Sequence, residues 1–77
     1  MNNRVAAKAD YRSAPVPCRE DGSLISKAGC YALRREDGTE FWLEMDLIPL
    51  HLLDRFVRIE GSRYPSNLIA VRAIGPA

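Results

Sequence analysis

Glu40-Phe41-Trp42-Leu43-Glu44-Met45-Asp46 decides the fold. Phe41, Leu43 and Met45 alternate with Trp42, Glu44 and Asp46. A period of two places the first set on one face of a β-strand and the second set on the other. The first face is apolar and points to a core. The second carries two carboxylates and points to solvent, with Trp42 among them.

The same reading extends outward in both directions. Upstream, Asp37-Gly38 is a turn signal, because Gly accepts positive φ and Asp bonds its own backbone. Before it, Cys30 to Arg35 reads as a strand with Tyr31 and Leu33 on one face and Ala32 and Arg34 on the other. Ser23 to Lys27 is a further strand, reversed at Ala28-Gly29. A second Asp-Gly, Asp21-Gly22, predicts another turn. Downstream, Leu47 to Arg55 breaks the alternation. Pro49 there predicts the first turn of a short helix, with Leu50 and Leu53 facing the core at i, i+3 spacing. Phe56 to Gly61 and Leu68 to Ile74 restore the period of two, separated by a loop over Ser62 to Asn67. Leu33, Phe41, Leu43, Val57, Ile59, Ile69 and Val71 form the expected core.

Three strands, a short helix between strands 3 and 4, then two strands is the order of an OB-like barrel. The chain is therefore read as mainly β, a small five-stranded OB-like β-barrel domain over residues 18–77. Closure also removes the free edges that an open sheet of this size would expose. Residues 1–17 read as a flexible tail, ending in Ala14-Pro15-Val16-Pro17, whose prolines suit an edge and not a sheet interior. Gly29-x-Tyr31-x-Leu33, Asp37-Gly38, Phe41-x-Leu43, Leu53, Val57-x-Ile59-x-Gly61 and Val71-x-x-Ile74 resemble short bacterial OB-like (small β-barrel) proteins of uncharacterised function. The resemblance runs from about Gly22 onward. Its positions are core and turn residues, so it implies a fold and carries over no catalytic motif. Trp42 departs from the pattern.

Composition bounds the function. The chain has 77 residues, eleven basic and ten acidic, with a formal net charge of +1. A chain this short builds a compact core and leaves little room for an enclosed reaction centre. His51 is the one histidine and lies among leucines with no positioned partner, so it does not read as a general base. No Gly-rich phosphate loop or nucleophile elbow occurs. The expectation is a domain that is not an enzyme, with no cofactor and no metal. Residues 1–10 lack the apolar core of a secretory signal, so the expected location is cytoplasmic, with Cys18 and Cys30 as free thiols.

A binding module remains. Alternation turns Trp42 outward together with Arg34, Arg58 and Arg72, and the loop adds Arg63 and Tyr64. Stacking aromatics beside cations on a barrel face suit single-stranded nucleic acid. The same face, a strand edge or the tail suits a protein partner. The competing arrangement has Trp42 packed under the tail and the arginines paired with Glu44 and Glu60 across strands.

Overall fold

In the computed structural model, which describes residues 15–77, five strands form one sheet: β1 (Val16–Lys27), β2 (Cys30–Arg34), β3 (Glu40–Glu44), β4 (Phe56–Tyr64) and β5 (Leu68–Pro76). The sheet closes in the order β1-β2-β3-β5-β4. All neighbours are antiparallel except β3 and β5, which run parallel. Closure depends on the length of β1. Its C-terminal half pairs with β2, from Ser23 opposite Arg34 to Lys27 opposite Cys30. Its N-terminal half pairs with β4, from Val16 opposite Arg63 to Ser23 opposite Phe56. One strand thus serves both sides of the seam, and the register staggers around the barrel as closure requires.

Leu24, Leu33, Phe41, Val57, Ile59 and Ile69 are fully buried inside. The parity read from the sequence holds on every strand it covered. Leu43 and Val71 are half-buried and pack against this cluster.

Four local expectations are corrected. Asp21-Gly22 is not a turn; it lies within β1. Gly is required there for space: a Cβ at Gly22 would stand 2.5 Å from the Arg34 carbonyl oxygen. Asp37-Gly38 does turn, with Gly38 at φ +92° and the Thr39 N–H donating to Asp37 Oδ1 at 2.9 Å. The strand begins at Val16, two residues before the expected boundary. Pro17 is accommodated opposite Ser62 because β1 has no β2 neighbour at that point. The rest of the expected tail, residues 1–14, lies outside the described residues.

The expected short helix is a single 3-10 turn, Leu50–Leu52, preceded by Pro49. Leu50 is 63% exposed, and Leu52 is buried in its place. The turn ends at once because Leu53 is extended and Asp54 takes φ +67°. Asp54 and Arg55 are held by β1: the Asp54 N–H donates to the Leu24 carbonyl, and the Leu24 N–H to the Arg55 carbonyl. With no second helical turn, i, i+3 spacing no longer places Leu50 beside Leu53. Finally, Ser62 to Tyr64 belong to β4, leaving Pro65-Ser66-Asn67 as the connection to β5. Ser66 and Asn67 both take positive φ there.

Cys18 and Cys30 are free thiols. Burial, and then the Glu20 carboxylate, push the Cys18 thiol above its ordinary pKa, whereas Cys30 is exposed. Timed alkylation of the native protein is expected to label Cys30 well before Cys18. Equal rates would mean that the Cys18 strand opens freely.

Candidate binding face around Trp42

The register assembles a row of side chains that alternation alone does not reveal. Ile25 lies opposite Ala32, Ala32 opposite Trp42, Trp42 beside Leu68, and Leu68 opposite Tyr64. All five have the parity opposite to the core residues, so the row crosses the outer surface of every strand. Ala32 is nonetheless 99% buried, being the smallest member and flanked by Ile25 and Trp42. Trp42 is 39% exposed and stands at the centre of the row. Its backbone N–H donates to the Asn67 carbonyl at 2.7 Å, which ties the β4–β5 turn to this face.

Charged side chains border the indole. Glu40 precedes Trp42 by two residues and faces the same way. It accepts from Lys27 Nζ and from Arg34 Nε, the latter at 2.9 Å. Lys27 Nζ also lies 5.8 Å from the centre of the Trp42 ring. These two hydrogen bonds, Lys27 first, hold the Glu40 carboxyl below its ordinary pKa.

The six residues expected from the sequence do not form one surface. Arg34, Trp42 and Tyr64 belong to the face just described. Arg58 is six positions from Tyr64 along β4, about 20 Å at the rise of a strand. There it forms a two-toothed pair with Asp21, at 2.9 and 3.0 Å. Arg72 stands between the paired residues Val71 and Ala73, where the register slips against Glu60 and Gly61. Its guanidinium is 3.6 Å from Glu60. Arg63 has the inward parity, and its guanidinium carbon sits 4.9 Å from the ring centre of the buried Phe41. The competing arrangement is therefore met for Arg72, which pairs with Glu60. Arg34 and Arg58 pair with Glu40 and Asp21, partners that alternation did not suggest.

Lys27, Glu40, Ala32 and Leu68 escaped sequence reading. Each shares the outward parity, so the signal was present. Only the register shows that they surround Trp42.

Asp21 and Arg58 line a shallow depression of about 610 Å³ with Arg19, Arg35, Asp37 and Phe56. Most of its charges are paired, since Arg35 also bridges Glu20 and Asp37 at 3.5 and 3.6 Å. The Arg58 hydrogen bond holds Asp21 below its ordinary pKa, and the Thr39 backbone N–H does the same for Asp37. A carboxylate with a depressed folded pKa stabilises the fold fully above its unfolded pKa, and that contribution is lost as pH falls through the folded value. With Asp21, Asp37 and Glu40 all depressed, the urea midpoint is expected to hold near neutrality and to decline below about pH 4. Asp21→Asn should flatten that decline; an unchanged acid limb would show that the pair contributes nothing. Among the described residues no three His, Cys, Asp or Glu side chains group as a metal site needs. No described helix is long and apolar enough to cross a membrane.

A family model described as "Protein of unknown function (DUF5818)" matches residues 21–77. The chain belongs to this family. The DUF5818 match covers the whole Trp42 row and the charged residues beside it, and it begins inside β1, at the Asp21 of the Asp21–Arg58 pair. No curated protein and no solved structure matches the chain.

Proposed function

We propose that this domain is a non-catalytic binding module of the OB type whose docking surface is the outer face of β2 and β3 centred on Trp42. The observation that carries this is the half-exposed indole in the middle of an apolar row, bordered by charges already paired with each other. The strand order supports the OB assignment, with β1 shared between β2 and β4 and a parallel β3–β5 contact. In barrels of that type the face of strands 2 and 3, with the β1–β2 and β4–β5 loops, is where chains of nucleotides or sugars lie.

Single-stranded nucleic acid draws support from Trp42 and Tyr64 as stacking platforms two strands apart. A protein partner draws support from the carboxylates that engage Arg34, Arg58 and Arg72, because these arginines are not left free for phosphate. Trp42 is the one tryptophan, so its emission reports on this face directly. Titration with oligothymidylate at low and high salt tests the nucleic-acid reading. Quenching that weakens steeply with salt, and an affinity loss of about 1–3 kcal/mol in Trp42→Ala, are expected if bases stack there. Trp42→Ala should lower the urea midpoint without unfolding the barrel, because the indole covers Ala32 but lies outside the core cluster. If Trp42→Ala retains full affinity for whatever the wild type binds, this face is not the docking surface.

A further inference from the structure

The β3–β4 link carries apolar surface that the barrel does not use. Leu47 is 86% exposed and Leu50 63%, the two most exposed large hydrophobic side chains among the described residues. They flank Ile48 and Pro49, which are half-buried. The link is not a loose loop. The Leu50 N–H donates to the Ile48 carbonyl at 2.9 Å, the Leu52 N–H to the Pro49 carbonyl at 2.8 Å, and the Leu53 N–H to the Leu50 carbonyl at 3.1 Å. Leu52 is buried in the core and anchors the turn. With its backbone fixed in this way, the link holds Leu47 and Leu50 outward, and a partner has little chain to order on binding.

Charge at the ends of this patch differs from charge elsewhere. Arg19, Arg34, Arg35, Arg58 and Arg72 each meet a carboxylate of the same barrel. Asp46 precedes Leu47 and His51 follows Leu50; both are exposed, and neither forms an ion pair among the described residues. The patch is apolar in the middle, acidic at one end and imidazole-bearing at the other, so it is complementary to itself. We propose that Leu47 and Leu50 form the interface between two copies of this chain related by a twofold axis. An axis passing between the two leucines sets Leu47 against Leu50 of the second copy. The same rotation sets Asp46 against His51 of the second copy, and each contact occurs twice. Four leucines leave water. Each carboxylate gains an imidazole, which donates a hydrogen bond in either protonation state. A bilayer is the poorer fit, because Asp46 and Asp54 beside the leucines oppose an anionic lipid surface. The pairing does not depend on what the Trp42 face binds.

Sedimentation velocity of the full chain tests this, in reductant so that the exposed Cys30 cannot link copies. Concentrations run from about 10 μM to 1 mM, the range suited to a small interface. The mass is expected to rise with concentration toward that of a dimer. Leu47→Ser and Leu50→Ser should each weaken association at least about tenfold. Asp46→Lys and His51→Glu should each weaken it, and the two together should restore it, because the swap exchanges the signs across the axis. Trp42→Ala should associate as the wild type does. Circular dichroism on each variant confirms the fold. A wild-type mass that stays monomeric throughout overturns the proposal; binding to phosphatidylcholine–phosphatidylglycerol vesicles that Leu47→Ser then abolishes assigns the patch to lipid instead. A dimer indifferent to the leucine substitutions, or lost in Trp42→Ala, lies elsewhere and overturns it equally. A charge swap that restores nothing overturns the twofold arrangement.

Discussion

Phe41→Ala is expected to cost about 3–5 kcal/mol of stability. Phe41 is the largest of the fully buried side chains and lies at the meeting of β2 and β3 beneath the Arg63 guanidinium. Truncation removes its transfer free energy and leaves a cavity that a closed barrel cannot collapse, because each wall strand is hydrogen-bonded on both sides. A domain of this size has only about 3–9 kcal/mol in total. The variant should therefore lose a third or more of that stability, seen as a urea midpoint far below that of the wild type. Phe41→Leu, which keeps most of the volume, should lower the midpoint much less. A Phe41→Ala midpoint near the wild-type value would mean that the ring is not the centre of the core.

Gly61→Ala should be comparably damaging for a different reason. A Cβ there would stand 2.1 Å from the Ala70 carbonyl oxygen, a backbone atom that no rotamer change can move. Gly61 sits at the register slip between β4 and β5, where Arg72 is the extra residue. Such a bulge bends and twists the strand that closes the barrel. Making room for a methyl group means prising β4 from β5, at a cost of about 3 kcal/mol. Gly75→Ala is the control, since a Cβ there meets nothing within 4 Å; its midpoint should barely change. If both variants behave alike, close strand approach is not what requires Gly61. Neither prediction depends on what the domain binds. Loss of binding in these two variants would reflect loss of the barrel, whereas Trp42→Ala tests the surface on an intact one.

The Asp-Gly pairs show where local reading fails. Asp21-Gly22 and Asp37-Gly38 carry the same turn chemistry, yet only the second turns. The first is overridden because β1 must run straight through to reach both β2 and β4, and Gly22 is needed where Arg34 passes close. The link after β3 fails similarly. Pro49 and the leucines have helical spacing, but hydrogen bonds from Leu24 pull Asp54 and Arg55 out of a helix after one turn.

The amino-acid sequence by itself determined which side of each strand faces the core. Side-chain alternation is a property of neighbouring residues, so Leu33, Phe41, Val57, Ile59 and Ile69 were legible as interior and Trp42 as exterior. It did not determine which exterior residues meet. Arg34 with Glu40, Arg58 with Asp21, and Trp42 between Ala32 and Leu68 are brought together by register across strands distant in sequence. Parity survives any even shift of register, but the identity of a cross-strand neighbour does not. Tertiary closure therefore decided the surroundings of the indole, keeping Arg34 and Tyr64 beside Trp42, sending Arg58, Arg63 and Arg72 elsewhere, and gathering Lys27, Glu40 and Leu68 around the one tryptophan.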